Sequence, residues 1–193
     1  MRSEGTNLLT MNENSITPSD VLDYWFSVKS KQFWFASTPQ IDNEIKVRFE
    51  RIWEKAAAGE FGHWRDTADG SVALIVILDQ LPLNMYRSDP KSFQTETMAV
   101  EVALNAINNG YDEELNDEKL LFLFMPLMHS ENIDHQNLQV YLFEKYNFNL
   151  DFSKHHRGLV KRFGRFPHRN EILGRMSTME ELDYLLSDNA FKG

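Results

Sequence analysis

The sequence predicts a predominantly helical globular domain, and three observations support this prediction. Only 9 of the 193 residues are Gly and 6 are Pro, so residues that interrupt helices are scarce. The 21 Leu residues outnumber the 18 Val and Ile residues combined, which favours helix over strand. Apolar side chains also recur every three or four residues in several segments, as they do on one face of a helix. A chain of this length is expected to form one domain. It can bury a core without disulfides, and its lack of Cys excludes them.

The first predicted helix follows a polar segment. Residues 1–16 are polar and lack periodicity, so we expect a flexible N-terminal tail, which leaves residues 17–193 as a single helical domain. Thr17, Pro18 and Asp20 then combine a Thr N-cap, Pro at the first helical position and an acid three residues after the cap. The helix is expected to pass through Val21, Leu22, Trp25 and Phe26.

Two longer amphipathic helices are predicted from the spacing of apolar residues. Gly59 can close the first as a C-terminal cap, and the second enters after Pro90 and ends near Gly110. The apolar face of the first consists of Ile41, Ile45, Phe49, Ile52, Trp53 and Ala56. The predicted face of the second consists of Phe93, Thr97, Val100, Leu104 and Ile107.

Between these two helices lies the apolar run Val72–Leu78, which fits a buried strand as well as a buried helix. We favour helix, because the spacing of three to four residues continues to Leu81, past the polar Asp79 and Gln80. No other segment offers a convincing partner strand for a sheet.

The second half of the chain contains further predicted helices. Leu120–Met128 is apolar on all sides, as in a buried helix, and Pro126 should kink or end it. A helix over Ile133–Lys145 follows, and then one that Gly164 ends and whose face carries His156, Leu159, Val160 and Phe163. Residues 165–170 are expected to form an ordered loop. Ser177 or Thr178, with Glu180 or Glu181, supplies a capping box for a last short helix.

The charge and hydropathy of the chain restrict its partners and location. The net charge of −9 argues against non-specific binding of nucleic acid, so a nucleic-acid partner is not expected. The first residues lack the apolar core of a signal peptide, and the longest apolar runs are far shorter than a membrane-spanning helix. We therefore expect a cytoplasmic protein without a membrane partner. The aromatic content leaves room for a homodimer interface without locating one.

Positive charge is concentrated in one segment. Residues 154–175 contain seven Lys or Arg and one acid, a local charge of +6 that leaves −15 for the rest of the chain. Guanidinium groups beside His and Asn donors suit a phosphate or carboxylate ligand, so this segment is a candidate anion site. The alternative, equally consistent with the sequence, is that the arginines pair with acids elsewhere in the chain. The candidate ligand-binding residues here are Arg165, His168, Arg169, Asn170 and Arg175.

Three other places carry residues suited to chemistry. His129 and Glu131, which flank Ser130, could act as a base and its orienting group, although Ser130 or Asn132 could equally cap the following helix. His156, on an apolar face, is more typical of a hydrogen-bonded core residue than of a base. The third place contains four polar residues, Asp79, Gln80, Asn84 and Arg87. An Asp79–Arg87 ion pair or a helix cap would also explain their presence.

Several segments together resemble a bacterial family of unknown function to which a TPR-like all-helical fold is assigned. The resemblance rests on the run FGRFPHRN at residues 163–170, on Phe124-Met125-Pro126 leading to His129-Ser130-Glu131, and on Leu78-Asp79-Gln80. It implies an all-α fold, a compact array of antiparallel helix pairs, and a helical Val72–Leu78. The family usually has Arg where this chain has Leu83, so a donor present in the family is missing here.

Two functions are consistent with these residues. The first is a binding protein whose polar pocket holds a small anionic ligand or an acidic peptide group. The alternative is a hydrolase in which a His acts as general base, a carboxylate orients it, and arginines stabilise an anionic transition state. The candidate catalytic residues are His129, Glu131, His156 and Asp79. The sequence indicates no cofactor, and the spacing of its His and Glu residues is only weak evidence for a metal site.

Overall fold

The computed structural model of the protein describes residues 15–191, and within that range it is helical and contains no strand. The prediction of an all-α fold is therefore confirmed. The predicted N-terminal tail lies outside the described residues, apart from its last two positions. The helices are α1 (Pro18–Trp25), α2 (Val28–Lys31), α3 (Pro39–Ala57), α4 (Ala68–Ile75), α5 (Leu81–Met85), α6 (Glu96–Asn108), α7 (Asp117–His129), α8 (Ile133–Lys145), α9 (Asp151–Phe163) and α10 (Met179–Leu185).

Local hydrogen bonds begin the first and last helices where the sequence predicts. Thr17 caps α1, and its backbone N–H donates to the Asp20 carboxylate at 2.8 Å. Of the alternatives at the last helix, Thr178 is the cap, and its N–H donates to Glu181 at 2.7 Å. Gly164 ends α9 with a φ of 72°, a left-handed conformation that residues with a Cβ rarely adopt.

The run Val72–Leu78 is helical, as expected, but α4 does not pass directly into α5. Residues Val76–Gln80 form a π-helical turn, a form that recurs at functional sites. Pro82 follows and has no N–H to offer to the carbonyl of Leu78. That carbonyl instead accepts a hydrogen bond from the Thr95 hydroxyl at 2.5 Å. The turn leaves Asp79 and Gln80 buried among apolar helices.

The predicted start of α6 is wrong, and its predicted buried face is right only in part, because Val100 is buried and Leu104 and Ile107 pack against the core. Phe93 lies in a preceding 3₁₀ turn, the helix begins at Glu96, and Thr97 is exposed. Alanines account for most of the buried face, because small side chains allow close packing against α4 and α7. The pattern of large apolar residues overlooked them. The buried residues of α6 are Ala99, Val100, Val102, Ala103 and Ala106.

Helix α7 passes through Pro126 and continues to His129, so the expected end at the proline does not occur. Its last carbonyls are instead satisfied by side chains. The amide of Gln136, on α8, donates to the carbonyls of Met128 at 2.6 Å and Ser130 at 2.8 Å. These two hydrogen bonds hold the C-terminal end of α7, whose last carbonyl groups have no partner within the helix.

Buried apolar residues form two clusters. The main cluster includes residues of α1 and of α3 to α8, whereas a smaller one joins α9, the FGRFPHRN segment and α10 through Leu159, Val160, Phe166 and Tyr184. Charged side chains lie between the two clusters, as described below. No helix among residues 15–191 is both long and apolar enough to span a membrane.

Candidate functional site

His129 and Asp79 form a close pair between α7 and the π-helical turn. The imidazole Nδ1 lies 2.9 Å from Oδ1 and 3.0 Å from Oδ2 of Asp79. Gln80 donates its side-chain amide to the same carboxylate. The Asp79 side chain is 3% exposed and that of His129 18% exposed, so the carboxylate is buried while the imidazole is not wholly enclosed. An acceptor at Nδ1 favours the tautomer with its proton there and leaves Nε2 as the basic nitrogen.

The surroundings of His129 raise the pKa of its imidazole above the usual 6.5. Burial has the largest single effect and lowers this pKa, but the charge of Asp79 and its hydrogen bond together raise it by more. The imidazolium form is therefore favoured by a carboxylate that also fixes the orientation of the ring. The carboxylate of Asp79 thus stabilises the protonated imidazole of His129.

Arg169, in the 3₁₀ turn Pro167–Arg169, lies on the other side of His129. Its guanidinium carbon is 4.5 Å from the ring centre of Phe93 and 4.7 Å from that of Phe166. It donates to the His129 carbonyl at 2.9 Å and to Glu96 at 2.8 Å. The side chain is 8% exposed, and its Nε is buried without a hydrogen-bond partner among the described residues.

Glu96 belongs to this site, and the sequence analysis missed it. Burial raises the pKa of its carboxyl group, although the charge of Arg169 acts in the opposite direction. An acid in the first turn of a helix is expected for its interaction with the helix dipole, so Glu96 carries no distinctive signal. The excess charge of residues 154–175 is consistent with pairing to acids elsewhere in the chain, but it does not indicate which acids those are.

Glu131 does not orient His129. Its carboxylate instead accepts two hydrogen bonds from Arg175, at 2.6 and 2.9 Å, and one from the backbone N–H of Phe166 at 2.8 Å. Burial raises the pKa of Glu131, but these hydrogen bonds together lower it by more. Because both partner residues belong to the C-terminal part of the chain, Glu131 attaches the FGRFPHRN segment to the end of α7.

Ser130 has a structural role as well. Its hydroxyl oxygen accepts a hydrogen bond from the N–H of Asn132 at 3.2 Å and contacts the Nδ1 of His135 at 2.9 Å. Asn132 is the N-cap of α8. The alternative in which these residues arrange the start of a helix is the one that the structure shows.

His156 and His168 are packed against aromatic rings. His156 lies 2.8 Å from the carbonyl of Phe152 through Nδ1, and its ring centre is 4.6 Å from that of Phe191. Burial lowers the pKa of His156 to about 4, and the same cause lowers that of His168 to about 4. His156 is therefore a neutral core histidine near neutral pH, as one alternative from the sequence proposed. The Nδ1 of His168 is buried without a hydrogen-bond partner among the described residues.

Four arginines of the basic segment pair with carboxylates. Arg165 is bound to Glu181 at 2.7 Å, and Asn170 donates to Ser177 and accepts from Arg175. Internal pairing thus accounts for much of the positive charge that the sequence concentrates here. The four pairs are Arg162–Glu180, Arg165–Glu181, Arg169–Glu96 and Arg175–Glu131.

Asn84 and Arg87 lie apart from His129. Both donate to Asp42 of α3, at 2.8 and 2.9 Å, so the expected Asp79–Arg87 ion pair is wrong. The π-helical turn directs Asp79 into the core, whereas Asn84 and Arg87, beyond it, face the start of α3. They border a shallow surface depression of about 520 Å³ that also contacts Lys46.

The other predicted residues, apart from Ser130, His156, Arg165, His168 and Asn170 described above, divide into three groups. Asp79, Gln80, His129 and Arg169 come together, Glu131 and Arg175 support them from the loop, and Asn84 and Arg87 are elsewhere. Within residues 15–191, no group of three or more His, Asp or Glu side chains is arranged to hold a metal ion.

Comparisons with known proteins agree with the family resemblance. The sequence profile of a bacterial protein of unknown function, DUF924, matches residues 21–189. No curated protein is significantly similar to the chain. A solved structure of a protein of unknown function, ATU0120 from Agrobacterium tumefaciens, is 34% identical and superposes with a TM-score of 0.82. The match covers 88% of this chain and 96% of that protein.

Proposed function

The chain belongs to the DUF924 family of bacterial proteins of unknown function, and we propose that it is a hydrolase in which His129 acts as the general base. The observation that carries the proposal is the buried carboxylate of Asp79 at 2.9 Å from the Nδ1 of a partly exposed imidazole. The same arrangement of acid and imidazole activates nucleophiles on unrelated folds.

The proposed chemistry uses water as the nucleophile. With its Nδ1 proton held by Asp79, neutral His129 takes a proton from water through Nε2, and the resulting hydroxide attacks an ester, amide or phosphoester. The protonated imidazole, stabilised by the carboxylate, then returns the proton to the leaving group. No serine is used as a nucleophile, because Ser130 contacts His135 and lacks the flanking glycines of a nucleophile elbow.

The test is a screen of ester, phosphoester and amide substrates with wild-type protein and matched variants. We expect H129Q and D79N to lower kcat/KM by about 100-fold or more, as general-base catalysis contributes at least that factor. H63N and D69N are the controls, since both residues are exposed and Asp69 pairs with Lys119 rather than with a residue of the site. Equal turnover by H129Q and wild-type protein, on any substrate hydrolysed, contradicts the proposal.

The pH dependence supplies a second check. A general base must be deprotonated, so kcat/KM should rise with pH through the pKa of His129, which lies above 6.5. D79N removes the charge that raises this pKa, and the rise should move to lower pH.

One observation favours a second function, the binding of a small anion. The Nε of Arg169 and the Nδ1 of His168 are both buried and have no hydrogen-bond partner within residues 15–191, and a carboxylate or phosphate oxygen could accept from them. Bound phosphate should then raise Tm in wild-type protein, less so at high salt, and not in R169Q. R162Q is the matched control, because Arg162 is exposed. A phosphate-induced shift that persists in R169Q excludes this function for the site.

A further inference from the structure

Four ionisable side chains from separate parts of the chain, His129 among them, form one cluster. Asp79 and His129 are the pair used by the proposed reaction, whereas Arg169 and Glu96 have no role in it so far. Other titratable groups interact electrostatically with this cluster: His156, on α9, with His129 and Arg169, and both His168 and Glu131 with Arg169. Glu96 is close enough for its carboxylate to affect the pKa of His129.

Arg169 holds the end of α7. The carbonyl of His129, the last residue of that helix, lacks a helical partner and accepts from Arg169 instead. Two aromatic rings restrict the guanidinium from either side, as the distances to Phe93 and Phe166 show. The bond to His129 places the backbone that carries the imidazole.

Glu96 holds Arg169 in turn. Its Oε2 accepts from Nη1 of Arg169, and its side chain is 19% exposed, so the two charges attract in a largely buried setting. Without a negative charge at this position, an uncompensated guanidinium would lie beside the imidazole and disfavour its protonated form.

We infer that Glu96 is a positioning residue for His129, which holds Arg169 against the end of α7 and balances the charge of the arginine beside the imidazole. The inference rests on the proposed role of His129, but it does not depend on any particular substrate. Glu96 itself does not contact the imidazole through a hydrogen bond, and it acts through Arg169.

The test is a titration of the imidazole groups by ¹H–¹⁵N NMR, with the His129 signal assigned by its loss in H129Q. E96Q removes the charge and keeps an oxygen that can accept from Arg169. R169Q removes the opposite charge. E180Q is the matched control, since Glu180 pairs at 2.8 Å with the exposed Arg162.

We expect the titration midpoint of His129 to move to lower pH in E96Q, to move to higher pH in R169Q, and to stay unchanged in E180Q. A structural role alone would lower Tm without shifting the midpoint. An unmoved midpoint in E96Q, or shifts of the same sign in E96Q and R169Q, overturns the inference. If R169Q does not fold, the comparison of E96Q with E180Q decides the question.

A second measurement concerns position rather than charge. E96A removes the acceptor for Arg169 as well as the charge, so hydrogen exchange at the Ser130 amide should become faster than in E96Q. Equal exchange rates in E96A and E96Q contradict a positioning role. Both measurements need no substrate, so the titration decides this inference and the substrate screen decides the hydrolase proposal.

Discussion

Replacement of Arg169 by Met tests whether the polar cluster stabilises the fold. R169M removes the charge but keeps an apolar chain that can lie between Phe93 and Phe166. It leaves the Glu96 carboxylate and the His129 carbonyl without the donors that they have in the native protein. Arg169 is only 6% exposed, so water can replace these donors only in part.

The expected cost can be worked from these contacts. Breaking a buried ion pair by removing one partner costs about 3–5 kcal/mol, and the partial exposure of Glu96 favours the lower end. Two cation–π contacts contribute about 0.5–1 kcal/mol each, which Met partly replaces. We expect a loss of about 4 kcal/mol in the free energy of unfolding, or roughly 8–16 °C in Tm for a domain of this size.

The assay is urea denaturation at pH 7, with R162M as control. Arg162 is 52% exposed and pairs with the exposed Glu180, so R162M should cost less than about 1 kcal/mol. The double variant E96Q/R169M should be more stable than R169M, because it no longer buries an unpaired carboxylate. A loss in R169M as small as that in R162M, or no recovery in the double variant, would refute the reasoning.

Two further predictions concern the space beside two glycines and the protonation of a histidine. G70A should destabilise the protein by about 1–3 kcal/mol, since its Cβ would lie 2.1 Å from the Trp64 carbonyl oxygen, whereas G158A, in open space within α9, should stabilise it by about 0.5–1 kcal/mol. Denaturation of both variants checks this prediction, and equal effects contradict it. Burial lowers the pKa of His156 from 6.5 to about 4, so the contribution of neutral His156 to stability is complete above pH 6.5 and is lost as the pH falls towards 4. Tm should therefore decline less in H156F than in the wild-type protein as the pH is lowered over this range. Equal declines would show that another group is responsible.

Features that depend on neighbouring residues could be predicted from the sequence. The caps at Thr17 and Thr178 form because each bonds a group three residues away, and the cap type and the acid are both readable from the chain. The buried face of α3 follows from its apolar spacing for the same reason. In α6 the rule found only part of the buried face, because alanines pack closely without appearing in a pattern of large apolar side chains.

The sequence marked the residues of the site as unusual, but it did not identify most of their partners. His129 and its partner Asp79 are 50 positions apart in the sequence, and Arg169 and its partner Glu96 are 73 positions apart. The sequence placed Glu131 next to His129 and named Asp79 only among the candidate catalytic residues, whereas the structure pairs His129 with Asp79 and Glu131 with Arg175.

The sequence by itself determined the helical class, the caps at Thr17 and Thr178 and the segments that mark the family. Only the tertiary structure decided which charges pair, because such pairing depends on distances between residues that are far apart in the chain. In a protein with 20 basic and 29 acidic residues, composition allows many pairings with similar energies in water. Burial between the two apolar clusters selects among them, since a buried charge must be matched by a specific neighbour.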